Sequence, residues 1–200
     1  MKRPNLEAGE SPSCGSARIG RIGLPGRPAA PLAVLALVVT VLAATACSPS
    51  APKSRVPGDW TSWRKSVDRV LNYTIPGHGD KARVIYVNAP GWEYAGRAGS
   101  GRLEFPEGTV VVKEIYASGN PAPGEKPVTL DVMVKAPGDP DSRGGWLWLV
   151  KDLASGKETV MTSTFCQTCH ANANSPHPYG DKNPEGAFRD YLYFPPKPGP

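Results

Sequence analysis

The amino-acid sequence predicts an α+β fold that is mainly β, an antiparallel sheet with a short N-terminal helix and peripheral helices and loops. Four runs rich in β-branched and aromatic residues lie between residues 82 and 151, and this composition favours strands. The segments between them are rich in Gly, Pro and Asp, and none clearly supplies the crossover helix that parallel strands need. The 23 Pro and 22 Gly of the chain suit the turns of such a sheet.

Residues 1–46 are predicted to be an export signal. A basic start is followed by an apolar run over residues 32–46 that ends in small residues, as in signal peptides. This run is shorter than the roughly 20 apolar residues of a spanning helix. The sequence Ala44-Thr-Ala-Cys47 resembles a bacterial lipobox, which predicts lipidation of Cys47 at the mature N-terminus. Plain cleavage nearby and an uncleaved anchor remain alternatives.

The rest of the chain is divided into a flexible tether over residues 47–58 and one folded domain over residues 59–200. Export places this domain in the periplasm or on the cell envelope, held to a membrane by its lipid anchor only. The signal also contains five of the Lys and Arg residues and two of the Glu residues, so the formal net charge of +5 falls to +2 without it. No Lys/Arg cluster remains that could bind along the phosphate backbone of a nucleic acid, so we expect no nucleic-acid partner.

The elements of the domain follow from its periodicity. Apolar residues at helical spacing predict a short amphipathic helix over residues 60–71, with Asp59 as a possible cap. Trp60 and Trp63 would pack in the core. Strands are predicted over four ranges, namely residues 82–88, 109–116, 128–135 and 145–151.

Two ionisable residues in these strands share a face with apolar neighbours. Lys113 alternates with Val111 and Ile115, so it points either into the core, where burial favours the neutral amine and hence a nucleophile, or to water from an edge strand. Asp131 shares a face with Thr129 and Met133, and an acid there is unfavourable unless it is exposed or functional.

The motif Cys166-Gln-Thr-Cys169-His170 is typical of covalent c-type haem attachment. Each thiol can add to one vinyl group of the porphyrin, and His170 would bind the iron, its second ring nitrogen held by a carbonyl. A zinc site lacks a second ligand pair at the required spacing, and a thioredoxin-like dithiol lacks its βαβ unit. A structural disulfide does not explain the adjoining histidine. The predicted cofactor is therefore haem c, with iron bound by His170.

Several segments together resemble the cytochrome P-460 and cytochrome c-prime-beta family. They are residues 105–116, with the sequence FPEGTVVVKEIY, residues 132–135, residues 144–148 and the late haem motif. The resemblance runs from about residue 63 to residue 194. It implies a haem-binding antiparallel sheet with peripheral helices, commonly dimeric.

The resemblance also implies roles for three further residues. Lys113 matches the lysine that bonds covalently to the porphyrin edge in the P-460 branch. Asp131 falls where hydroxylamine-oxidising members have a glutamate that accepts a proton, and the acid is kept but one methylene shorter. Arg83 falls on an arginine near the same pocket, with a surface strand residue as the alternative.

The function implied is the oxidation of hydroxylamine to nitrous oxide, or a reaction of nitric oxide, at a five-coordinate haem. Electrons would pass to a soluble or membrane acceptor. A non-catalytic nitric-oxide binder of the c-prime-beta kind is the alternative. Simple electron transfer needs a sixth ligand such as Met133 or Met161. Met161 is too close in sequence to Cys166 to reach the opposite face of the haem, and Met133 is expected in the core. Electron transfer is therefore the least favoured of the three functions.

Overall fold

The computed structural model describes residues 53–98 and 101–197. The predicted signal, Cys47 and the first part of the tether lie outside the described residues. In the described part of the chain, no helix combines the length and apolar character needed to cross a bilayer.

Within residues 53–98 and 101–197, six antiparallel strands form one sheet, and their spatial order is their order in the chain. The predicted mainly β fold class is confirmed. The strands are β1 (Arg64–Lys65), β2 (Arg83–Val87), β3 (Val110–Ile115), β4 (Thr129–Lys135), β5 (Trp146–Asp152) and β6 (Glu158–Val160). The helices are α1 (Ala89–Ala98) and α2 (Phe165–Ala171), with 3-10 turns at Trp60–Ser62 and Asn172–Asn174.

The four predicted strands agree with β2 to β5 to within about one residue at each end. Their side chains alternate between two buried faces. One face joins a core that includes Ile85, Val111 and Met133. The other joins a core that includes Val112 and Leu130.

The helix predicted over residues 60–71 is wrong. The chain makes one 3-10 turn and then the short strand β1, in which Arg64 pairs with Val87. Trp60 and Trp63 do pack against the second core, as expected. Pairing with the edge of β2 satisfies this backbone better than an isolated helix would, because helical propensity is a weak local preference.

Helix α1 was not anticipated by the sequence. Asn88 stands before it, and the Asn88 Oδ1 accepts hydrogen bonds from the backbone N–H of Gly91 and of Val110. An Asn cap followed by Pro90 in the first turn is a recognised helix start. Gly91 lets the helix approach the sheet, since a Cβ there would lie 2.6 Å from a Val87 methyl.

Candidate functional site

A cavity of about 490 Å³ lies on one face of the sheet and is closed by α2 and by the C-terminal tail. This is within the usual range for small-molecule and cofactor pockets. Much of its wall is apolar or aromatic, including Ile85, Val111, Met133, Trp148, Met161 and Phe194.

Helix α2 brings the whole haem motif to this cavity. Cys166 and Cys169 are both free thiols, and both line the cavity together with His170. The structure therefore contradicts a structural disulfide between them. Burial raises the pKa of the Cys166 thiol, whereas the reactive cysteine of a redox dithiol has a lowered pKa.

His170 is held as a neutral imidazole. Its Nδ1 lies 2.9 Å from the carbonyl oxygen of Tyr191, so Nδ1 carries the hydrogen and donates a hydrogen bond to that oxygen. The expected carbonyl partner is therefore present. Burial, reinforced by the positive charge of Lys113, lowers the pKa of His170 to about 3. Since Nδ1 is engaged, Nε2 is the nitrogen left to bind a metal, and the neutral ring is the form that can do so.

Lys113 and Asp131 lie opposite each other on β3 and β4, and both line the cavity. The Lys113 Nζ is 3.4 Å from Asp131 Oδ2, and the lysine side chain is only 13% exposed. The alternation of β3 thus turns Lys113 inward, and an outward-facing position on an edge strand is wrong because β3 lies between β2 and β4.

His78 completes a cluster with these two residues. Its Nδ1 is 3.1 Å from Asp131 Oδ2, and its Nε2 is 2.7 Å from Lys113 Nζ. A single proton arrangement satisfies both contacts. Nδ1–H donates to the carboxylate, and Nε2 accepts from the lysine amine. The order amine, imidazole, carboxylate is the arrangement of a nucleophile, its base and the group that orients the base.

The charges of the cluster are mutually dependent. Burial lowers the pKa of Lys113, although the nearby Asp131 opposes this shift. Burial alone would raise the pKa of Asp131, but the hydrogen bond from His78 and the charge of Lys113 outweigh it, so the pKa falls. Asp131 therefore stays ionised at neutral pH, and the amine of Lys113 loses its proton more readily than an exposed lysine does.

Arg83 is 1% exposed and lines the cavity, so the alternative of a surface position is wrong. Its guanidinium donates hydrogen bonds to the carbonyl of Tyr73 at 2.6 Å and to that of Gly79 at 3.5 Å. These carbonyls lie at the two ends of the segment that carries His78. Arg83 thereby fixes the loop that presents His78 to the cavity.

Met133 is buried in the first core, as expected, and Met161 packs against that core. Both also line the cavity. Lining the cavity does not by itself identify either methionine sulfur as a ligand of the iron.

Sequence reasoning missed His78 as a site residue. The available signal was a histidine between Gly77 and Gly79, in a loop before β2. Both glycines have positive φ, of 80° and 62°, which allows the tight turn that carries the imidazole. Only the fold brings this loop over the strands that hold Lys113 and Asp131.

The residues of the cavity fit a covalently attached haem. Two free thiols separated by one helical turn, a neutral histidine with one free ring nitrogen and a largely apolar wall meet in one space. These are the groups required by thioether attachment and by axial ligation.

The comparison with known families agrees with this arrangement. A family model described as Cytochrome P460 matches residues 57–194. No curated protein matches the chain.

Proposed function

This chain belongs to the cytochrome P460 family, and on that premise we propose that it is an exported c-type haem protein that oxidises hydroxylamine to nitrous oxide. The family implies a covalently bound haem c. We assign its attachment to Cys166 and Cys169 and its iron ligation to His170. When bound, the haem supplies a redox-active iron at which hydroxylamine can lose electrons.

The observation that carries this proposal is the convergence of Lys113, His78 and Asp131 on the cavity that the haem motif lines. Oxidation of hydroxylamine to nitrous oxide and water releases protons as well as electrons, so the site needs a proton acceptor. Asp131 is ionised and reaches the cavity, which suits the role. Its lowered pKa makes it a weak base by itself.

His78 compensates for this weakness. It is hydrogen bonded to Asp131 and can accept a proton at an imidazole nitrogen. The carboxylate then orients the imidazole and stabilises its protonated form. The glutamate expected from the family resemblance is thus replaced by a shorter acid that works through a neighbouring histidine.

Lys113 is assigned a different task, a covalent bond from its amine to the porphyrin edge. This bond replaces one N–H and one porphyrin C–H, so its formation releases two protons and passes two electrons to an external two-electron oxidant. Its lowered pKa and its contact with His78 Nε2 favour the neutral, nucleophilic amine. The proposal also includes export of the chain and lipidation at Cys47. It further includes a soluble or membrane electron acceptor and pairing of two copies as a dimer.

The direct test mixes the purified ferric holoprotein with hydroxylamine and ferricyanide. We expect ferricyanide to be reduced and nitrous oxide to be detected by gas chromatography. A His170→Ala variant with both thioether bonds intact should lose this activity. If the wild-type holoprotein neither reduces ferricyanide nor releases nitrous oxide, the proposed reaction is wrong.

A nitric-oxide binder without catalysis is the second candidate, and the apolar wall of the cavity favours it. Intact mass and the reduced optical spectrum distinguish the two. A lysine bond makes the holoprotein lighter by the hydrogen atoms lost when the bond forms, and it displaces the Soret band from its ordinary c-type position. A mass equal to chain plus unmodified haem, with an ordinary Soret band and no hydroxylamine turnover, would favour the binder.

A further inference from the structure

The backbone that faces His170 Nδ1 has an unusual conformation. Asp190 and Tyr191 have φ values of 49° and 72°, in the left-handed region that residues other than glycine rarely occupy. Consecutive residues remain there only where their surroundings fix them. Because the Tyr191 carbonyl accepts a hydrogen bond from His170 Nδ1–H, whatever fixes this backbone also fixes the hydrogen-bond partner of His170.

The Asp190 carboxylate is anchored by groups from outside the tail. Asp190 is 1% exposed, and the Lys135 Nζ lies 2.8 and 2.7 Å from its two oxygens. The Trp146 indole N–H donates to Oδ1 at 3.0 Å. The Phe105 backbone N–H donates to Oδ2 at 2.8 Å. The carboxylate is therefore tied to β4, to β5 and to the segment that precedes β3.

A second set of contacts ties the same backbone to the 3-10 turn that follows α2. The side-chain oxygen of Asn174 accepts hydrogen bonds from the backbone N–H of Arg189 at 2.8 Å and of Tyr191 at 3.3 Å. The Tyr191 ring packs on Gly144, where a Cβ would lie 2.8 Å from it. These contacts hold residues 189–191, which lead to the carbonyl that meets His170.

We propose that Asp190 is a positioning residue for His170. By anchoring the left-handed backbone, the carboxylate holds the Tyr191 carbonyl against Nδ1 and so sets the ring orientation and basicity of the imidazole. The inference rests on the proposed function, in which His170 binds the haem iron.

The physical basis is the strength of the Nδ1–H hydrogen bond. A well-placed acceptor increases the electron density on the imidazole and makes it a stronger donor to the metal. A stronger donor stabilises ferric iron more than ferrous iron. The two carboxylate oxygens of Asp190 together accept hydrogen bonds from three residues. In Asp190→Asn only one acceptor oxygen remains, and the new N–H₂ group cannot accept a hydrogen bond from Lys135. The tail would then relax, and the carbonyl would move away from His170.

The test uses the holoprotein carrying Asp190→Asn and measures two properties of the iron. We expect the ferric/ferrous midpoint potential to rise and the iron–histidine stretching frequency of the ferrous protein to fall. Trp146→Phe removes one donor to Asp190 and keeps the ion pair with Lys135, so it should shift both quantities in the same direction by less. If Asp190→Asn does not fold, both quantities are measured on Trp146→Phe instead.

The matched control is Glu158→Gln, which breaks the ion pair with Lys151 between β5 and β6 and should leave both quantities at their wild-type values. If the wild-type holoprotein shows the iron–histidine vibration and neither variant shifts it or the potential, this inference alone is overturned. If the wild-type holoprotein lacks that vibration, the proposed ligation by His170 fails, and the inference fails with it.

Discussion

Lys113 and Asp131 face each other directly across β3 and β4, with the lysine amine 3.4 Å from a carboxylate oxygen and 2.7 Å from His78 Nε2. Direct cross-strand partners have side chains on the same face of a sheet. The register of these strands therefore delivers both groups to one cavity. An ion pair buried there carries a desolvation cost, and the function proposed above assigns a role to both of its members.

The amine of Lys113 should react as a neutral nucleophile at lower pH than the other lysines. Burial lowers its pKa, so its deprotonated fraction at a given pH is larger than that of an ordinary lysine. In haem-free protein, labelling with a small amine reagent across a pH series and mass spectrometry of the peptides would measure this. Lys157, which is exposed, is the internal control. Equal half-labelling pH values for both residues would contradict the prediction.

Loss of the proton acceptor should slow turnover and leave the haem attached. Asp131→Asn and His78→Gln should each lower kcat for hydroxylamine by about 10²- to 10⁴-fold, the range that general acid–base groups contribute. The optical spectrum of the ferric protein should still show attached haem. Glu107→Gln is the matched control, since Glu107 is exposed and does not line the cavity. Wild-type kcat in both cavity variants would exclude this role for the pair.

Arg83→Lys should destabilise the fold and loosen the His78 loop. A lysine cannot reach the Tyr73 and Gly79 carbonyls together, so at least one charged hydrogen bond is lost, at a cost of about 2 kcal/mol. Urea unfolding measures the stability. Hydrogen exchange of the Gly79 amide, which donates to the Ile75 carbonyl, reports the loop. The control is Arg64→Lys on the exposed strand β1. Unchanged Gly79 exchange would show that Arg83 does not hold the loop.

Helix α1 offers a matched pair of glycine substitutions. Gly91→Ala places a Cβ 2.6 Å from a Val87 methyl and 2.8 Å from a Thr109 methyl, so overpacking should cost about 1–3 kcal/mol. Gly96→Ala meets nothing within 4 Å and should stabilise the helix by about 0.5–1 kcal/mol. Thermal unfolding of both variants compares them. A Gly91→Ala variant as stable as Gly96→Ala would contradict the packing of α1 on the sheet.

Local patterns in the sequence predicted much of this molecule. Strands β2 to β5 follow from β-branched runs between Gly- and Pro-rich turns. Alternation along β3 placed Lys113 on the face of Val111 and Ile115, but it left open whether that face points into the core or to water. The same approach failed over residues 60–71, where helical spacing of apolar residues was outweighed by pairing with β2. It also missed α1, whose cap and proline are present but whose burial depends on contact with Val87 and Thr109.

The sequence by itself determined the haem motif and the strands, because both depend on residues within one turn or one pleat of each other. Only the tertiary structure decided that His78 bridges Lys113 and Asp131, and that Asp190 holds the backbone which meets His170. Those contacts join residues 21 to 85 positions apart, and local sequence patterns carry no information about contacts over such separations. They exist because the sheet order and the path of the tail bring distant segments to one cavity.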